Sequence, residues 1–194
     1  MLDLLKDLYG KFQFLGLAEV AALIKIGRIR HISAGELLVK TGEWDFNGYV
    51  VIKGLLRTYI ETVEGEEKTV LFASEGMNLT SSATFLHGKP ATETIMAIED
   101  SILAVHDIRE FEKLCHDYPK LIKLQNVVLK ASMAEAIERV EYYTSMNPEE
   151  RYAHFRNKYP DLLNRVPQIY LASYLGVHPV SLSRIRTRLA TAQV

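Results

Sequence analysis

The stretch Val166–Leu189, VPQIYLASYLGVHPVSLSRIRTRL, limits this chain's fold more than any other. It reads as two short helices around a tight turn. Pro167 suits a first helical turn, where its missing N–H would go unpaired anyway. Ile169, Ala172 and Leu175 follow at helical spacing. Gly176 then stops the helix, because glycine accepts the left-handed backbone such a stop often needs. Val177 fills the corner, His178 takes the cap position and Pro179 opens the second helix. Leu182, Ile185 and Leu189 fall on one face and can pack on the first helix. Ser181, Arg184 and Arg188 fall on another face that is polar and basic. A small alanine, a turn glycine and a basic outer face make up a helix-turn-helix signature. The plainer reading is a helical hairpin at a domain edge with its arginines in water. Charge bears on that choice. From Ser145 onward the chain has seven Lys/Arg against three acidic residues, a net of +4, while the whole chain carries −1. A basic end on an otherwise acidic protein is the electrostatic footprint of phosphate binding.

The 194 residues allow one large or two small domains with ample chain for a core. No apolar run is long enough to cross a bilayer, so no membrane partner is expected. The start, MLDLLKDLYGKF, lacks the basic, apolar and small-residue segments of a signal peptide. Its Leu2, Leu4, Leu5 and Leu8 instead predict a short amphipathic helix. The single cysteine, Cys115, excludes an intrachain disulfide framework and a cysteine-ligated iron–sulfur cluster. Together these features point to a cytoplasmic protein. His31, His87, His106, His116, His154 and His178 are scattered, with no pair at the i, i+4 spacing of a helical metal site. They read as solvated or capping residues, and no metal is expected. Neither a nucleophile-elbow pattern nor a phosphate-loop pattern occurs, so an enzyme is not expected. Trp44, beside Asp45 and Asn47 on a turn, reads as a packing residue.

Before Gly27 the texture is helical, with Phe14, Leu15, Leu17, Val20, Leu23 and Ile24 in register. From Arg28 glycines recur at Gly35, Gly42, Gly48, Gly54, Gly65 and Gly76, separating short runs rich in β-branched and aromatic residues. That rhythm predicts an antiparallel β unit. Tyr49 to Ile52 and Leu55 to Thr62 read as strands. In the second, Leu56, Thr58 and Ile60 lie on one face and Arg57, Tyr59 and Glu61 on the other. Glu64-Gly65 turns the chain and Lys68 to Ala73 returns it. Thr94 to Ile98 and Ser101 to His106 read as a further pair around Glu99-Asp100. So many strands close best as a small barrel or jelly roll. Asp107 then starts a helix that holds Phe111 and Leu114. After Pro119 comes a helix of about 25 residues to Ser145. Its stripe includes Leu121, Leu124, Val128, Ala131, Ala134, Ile137 and Val140, and such a stripe needs a partner along its length. That partner is either the β unit or a second copy of the helix, and we expect the second copy. Asn147-Pro148 ends the helix, and Glu149-Glu150 put two carboxylates in the first turn of the next.

A β unit, a long helix and a helix-turn-helix in this order resemble the Crp/Fnr family of bacterial transcription regulators, over nearly the whole chain. The matching residues are Gly35-Glu36, Gly42-Glu43, Tyr49 to Gly54, Arg57, Tyr59, Gly65 and Gly76, then Ala172, Leu175-Gly176 and Leu182-Ser183-Arg184. The segment from Arg151 to Arg186 is most similar to a Bacteroidetes-type branch. The resemblance implies an α+β fold in three parts. These are a β-roll or jelly-roll domain of the cyclic nucleotide-binding kind over 1–117, a dimerisation helix over 118–145 and a helix-turn-helix domain over 146–194.

It also implies a homodimer that binds double-stranded DNA, with RNA polymerase as a further partner. Expected DNA contacts are His178, Val180, Ser181, Arg184 and Arg188. Expected dimer contacts are Leu121, Leu124, Val128 and Ala131. The effector pocket falls on Leu79, Thr80, Ser81, Ser82, Ala91 and Thr92. In this family's nucleotide binders a Gly-Glu pair and an Arg followed by Ser or Thr hold the ribose and the cyclic phosphate. Here Thr80-Ser81 and Ala91-Thr92 stand in those places. Tight cyclic AMP binding is therefore not expected, because a neutral side chain cannot replace that charge-assisted contact. No cofactor is expected, and any other effector is open. At the start of the recognition helix, where the family often has Arg-Glu or Pro-Glu, Pro179-Val180 stands. Only Tyr159 to Val166 joins the preceding helix to the helix-turn-helix, short for the β-hairpin wing of many relatives. The alternative is a small-molecule or protein-interaction module with a degenerate helix-turn-helix.

Overall fold

The glycine-punctuated stretch folds as eight short strands in the computed structural model, which describes residues 14–191. Leu2, Leu4, Leu5 and Leu8 lie outside the described residues. Helix α1 (Leu17–Ile26) precedes β1 (Arg28–Ile32), β2 (Leu37–Val39), β3 (Asn47–Lys53), β4 (Leu56–Glu61), β5 (Glu67–Ala73) and β6 (Asn78–Thr80). A short helix α2 (Ser82–His87) leads to β7 (Thr94–Ala97) and β8 (Ser101–Asp107). The strands form two four-stranded sheets, ordered β1-β8-β3-β6 and β2-β7-β4-β5. In the first sheet β3 is the pivot, with Tyr49 opposite Val105 of β8 and opposite Leu79 of β6. All three are buried, as are Val51, Leu55, Ile95, Ala97 and Leu103.

Two sequence expectations change here. Strands β7 and β8 do not pair with each other: β7 lies between β2 and β4, and β8 lies between β1 and β3. The short link Glu99-Asp100 therefore carries the chain from one sheet to the other and is not a hairpin turn. Strand β4 does not alternate between a covered and an open face. Leu56, Arg57, Thr58 and Tyr59 are all buried, and only its end, Ile60 and Glu61, is exposed. A strand covered on both sides loses the period-two pattern that a half-buried strand shows.

The remaining elements are helical. These are α3 (Ile108–Asp117), α4 (Lys120–Ser145), α5 (Pro148–Lys158), a 3-10 helix over Pro160–Asn164, α6 (Gln168–Leu175) and α7 (Pro179–Thr191). Asp107 caps α3 by accepting a hydrogen bond from the Arg109 N–H. Asn147 caps α5 in a reciprocal box with Glu150, which satisfies N–H groups that a helix start leaves open. The 3-10 helix fills the short connection where a wing would stand.

The described part of Met1–Thr58 forms one compact unit with Phe72–Ala131. Tyr59–Leu71 forms the other with the described part of Ser132–Val194. In the first unit Leu15, Phe111 and Leu121 share a buried cluster, with Leu23, Leu114 and Leu124 packed around it. In the second unit Phe155, Leu162, Leu171, Ala172, Leu175, Leu182 and Ile185 are buried. No described helix is long and apolar enough to cross a membrane.

Candidate functional site

The basic end is organised by the corner at Gly176. Its φ is +67°, and its N–H bonds back to the Ala172 and Ser173 carbonyls, which closes α6 in the left-handed stop. A Cβ here would lie 3.0 Å from the Tyr143 ring, so the site is crowded as well as conformationally demanding. His178 sits at the cap of α7, its Nδ1 accepting from the Val180 N–H at 3.3 Å. Leu182 and Ile185 turn inward and are buried, while Leu189 is half-buried. That anchoring leaves His178, Val180, Ser181, Arg184 and Arg188 exposed on the same helix. On α6 the buried residues are Leu171, Ala172, Tyr174 and Leu175, while Ile169 is 62% exposed and takes no part in that face. Arg188 is not a bare cation: its guanidinium pairs with the Glu149 carboxylate at 2.6 Å.

Behind α7 the second unit is tied together by charge and aromatic packing. Arg139 of α4 lies over the Tyr174 ring at 3.5 Å and donates to the Tyr174 carbonyl, which also accepts from the Tyr143 hydroxyl at 2.6 Å. Lys158 of α5 donates to Glu138 at 2.5 Å and to Glu135 at 3.0 Å, both on α4. Burial opposes the Lys158 charge and is the largest single influence on it, but hydrogen bonding with Glu138, Tyr159 and Glu135 together outweighs it and raises the ammonium well above the usual lysine range. The contact with Lys158 holds the Glu138 carboxyl below the usual carboxylate range. Burial pushes the Tyr142 phenol up, so it remains neutral and donates to the Arg151 carbonyl. These contacts fix α4, α5 and α6 to one another and so fix the platform on which α7 stands. Sequence reading did not find them, because partners such as Glu135 and Lys158 sit 23 residues apart.

The predicted effector residues gather around the start of α2. Leu79 and Ser81 are buried, and the Thr80 hydroxyl donates to the Asn47 carbonyl at 3.1 Å. Ser81 caps α2, accepting from the Thr84 N–H. Ala91 is 3% exposed, and both its backbone groups are bonded, its carbonyl to Gly42 and its N–H to Glu43. Ser82 and Thr92 meet on a residue the sequence reading passed over. Glu93, 5% exposed, accepts on one carboxylate oxygen from the Ser82 N–H at 2.7 Å and the Ser82 hydroxyl at 3.2 Å. On the other it accepts from the Thr92 hydroxyl at 2.9 Å and the Thr92 N–H at 3.2 Å. The only signal for it was a charge at the head of the apolar run Thr94 to Ala97.

The predicted dimer residues separate. Leu121 is fully buried against Leu15 and Phe111, and Leu124 packs on the same cluster, so this pair faces the chain's own first unit. Leu121 is thus withdrawn from any surface. Val128 is half-buried and Ala131 exposed. The apolar side chains that α4 leaves open are Ile122, Val127, Leu129, Met133, Ile137 and Val140. Among the described residues no group of three or more His, Cys, Asp or Glu side chains could hold a metal ion.

Comparison with known proteins finds counterparts of the fold. The family model of the cyclic nucleotide-binding domain matches residues 29–118. FixK2 from Bradyrhizobium japonicum has a similar structure, with a TM-score of 0.77 at 16% identity over 87% of each chain. The global regulator CLP of Xanthomonas campestris, described as c-di-GMP responsive, gives 0.73 at 14% identity, covering 92% of this chain and 93% of that one. A chain from Eubacterium rectale described as a transcriptional regulator of the Crp/Fnr family gives 0.70 at 18% identity, over 93% and 86%. Mouse patatin-like phospholipase domain-containing protein 7 is 26% identical over 113 residues, which are 58% of this chain and 8% of that protein. The chain thus spans a small part of that relative's length. At these identities the solved structures share the fold of the present one.

Proposed function

We propose that this chain, which joins a cyclic nucleotide-binding domain to the remaining elements of the Crp/Fnr regulator fold, is a homodimeric, sequence-specific DNA-binding transcription regulator. The observation that carries the reading is the two-faced helix α7. Leu182 and Ile185 anchor it, and Ser181 and Arg184 are exposed along its outer side. An arginine in that position can make paired hydrogen bonds to guanine O6 and N7 in the major groove. Val180, 53% exposed, offers an apolar surface to a thymine methyl. The open apolar side chains of α4, from Ile122 to Val140, support pairing with a second copy, with Val128 and Ala131 at their margin. The protein acts in the cytoplasm, is not an enzyme, and works with RNA polymerase. It does not answer to cyclic AMP, because Ala91 brings no charge to a cyclic phosphate and Lys89 projects from another backbone position.

The test is DNA selection with purified protein, followed by Arg184→Ala on the selected site and on random duplex. Loss of Arg184 is expected to cost about 1–3 kcal/mol at the selected site and to relax preference at one base pair per half-site. Equal losses on both duplexes would reduce Arg184 to a backbone contact. No binding to any duplex at low salt would leave an interaction module with a degenerate helix-turn-helix, a reading that the 3-10 helix in the wing position favours. Calorimetry with cyclic AMP tests the effector part, and a submicromolar dissociation constant would overturn it.

A further inference from the structure

We propose that Glu93 is a resident anion. Its carboxylate occupies the donors that a cyclic phosphate would use and shuts the effector site of the β domain against anionic ligands. This rests on the reading that the chain does not answer to cyclic nucleotides, and gives it a physical cause beyond the missing arginine. The two segments assigned to the ligand, the start of α2 and Ala91-Thr92, are bridged by one buried side chain. Four donors, the N–H and hydroxyl of Ser82 and of Thr92, converge on its two oxygens. A carboxylate offers about four lone-pair sites, so this set saturates it. Burying a charge without such partners is strongly unfavourable, whereas a fully bonded carboxylate is stable in place.

Its donors are all neutral. Ala91 stands where an arginine would neutralise a ligand, and Lys89 is exposed. A phosphate entering here would have to displace Glu93 from its four donors. Otherwise it would sit beside a fixed negative charge in a medium less polar than water, where repulsion is several times stronger than in bulk. The donor set is therefore intact but already filled.

The experiment compares Glu93→Ala, Glu93→Gln, Ala91→Arg and the double variant Ala91→Arg/Glu93→Ala with the parent protein. Glu93→Ala leaves four donors facing a hole the size of acetate. Its melting temperature is expected to fall by about 4–8 °C, and acetate at tens of millimolar should restore part of that loss, whereas chloride at equal ionic strength should not. The parent protein should show no acetate response. Glu93→Gln keeps the shape but turns an amide N–H toward donors, so it should melt lower without acetate rescue. It also serves as the stability probe should Glu93→Ala fail to fold. Cyclic AMP should bind the double variant at least about ten-fold more tightly than Ala91→Arg alone, because only the double variant has both the cation and the vacated donors. Variants at Glu93 that melt like the parent would overturn the proposal, as would a double variant no better than Ala91→Arg. Tight cyclic AMP binding by the parent protein would instead overturn the underlying reading.

Discussion

At the scale of single residues, Arg188 shows how a basic face can be partly spoken for. Its guanidinium is paired with Glu149, an exposed contact of the kind usually worth about 0–1 kcal/mol. If α7 meets DNA as proposed, a phosphate can therefore compete for it. Glu149→Gln should raise affinity for random duplex and steepen its salt dependence by about one unit per arginine released, while Arg188→Ala should do the reverse. Titrations at two salt concentrations measure both. A second residue gives a pH signature. Asp107 accepts from the Arg109 guanidinium at 2.6 and 3.0 Å as well as from its N–H. The guanidinium hydrogen bond holds the Asp107 carboxyl down at about 2. A carboxyl lowered in the folded state stabilises it above the unfolded value of about 3.9, and that contribution fades as pH falls toward the folded one. Asparagine can still cap α3 but cannot pair with Arg109. The gap in urea midpoint between parent and Asp107→Asn should be constant above about pH 5 and shrink between about pH 4 and 2. The local role of Asp107 was legible because a cap lies beside the helix it serves. Glu93 and the Arg188 pair were not, since Ser82, the residue Glu93 ties to its neighbour Thr92, lies 11 positions from it and Glu149 lies 39 positions from Arg188.

At the scale of elements, α4 divides the single stripe expected from its sequence: Leu121 and Leu124 are covered within the first unit, while Ile137 and Val140 join Ile122, Leu129 and Met133 in a second, open stripe. Leu121 belongs to the core of the first unit, so Leu121→Ala should cost about 2–5 kcal/mol of stability, read by chemical denaturation at fixed protein concentration. Met133 and Ile137 are 66% and 50% exposed, so Met133→Glu with Ile137→Glu should leave the monomer folded. Light scattering should then show the pair of variants as monomers and the parent as a dimer at micromolar concentration. A monomeric parent would end the dimer reading. Helix limits were legible from Pro119, Asn147-Pro148, Gly176 and Pro179, where backbone chemistry decides the matter locally. Which stripe of α4 faces its own domain was not legible, because both stripes satisfy the helical period and only the position of Leu15 and Phe111 separates them. The same limit explains β7 and β8. Glu99-Asp100 can close a hairpin or pass between sheets, and the choice lies with β1, β2, β3 and β4, which those strands join.

At the scale of the whole molecule, charge and assembly combine. The +4 net charge from Ser145 onward would be doubled in a dimer, so binding to random duplex should weaken steeply with salt, by about 0.9 log units per log unit of salt for each phosphate contacted. A two-fold dimer would space its half-sites about 34 Å apart. In the proposed dimer the open stripe of α4 would also make stability depend on concentration. Melting temperature should rise with protein concentration for the parent and stay flat for Met133→Glu/Ile137→Glu, which calorimetric scans across a hundred-fold dilution, about two log units, can read. Cell dosage is the larger consequence. When pairing is weak compared with the amount of protein made, dimers grow as the square of expression. For the dimeric regulator proposed above, halving synthesis would then cut occupied promoters nearly four-fold, about the square of two, so the apolar face of one helix would turn a modest change in gene output into a sharp regulatory response.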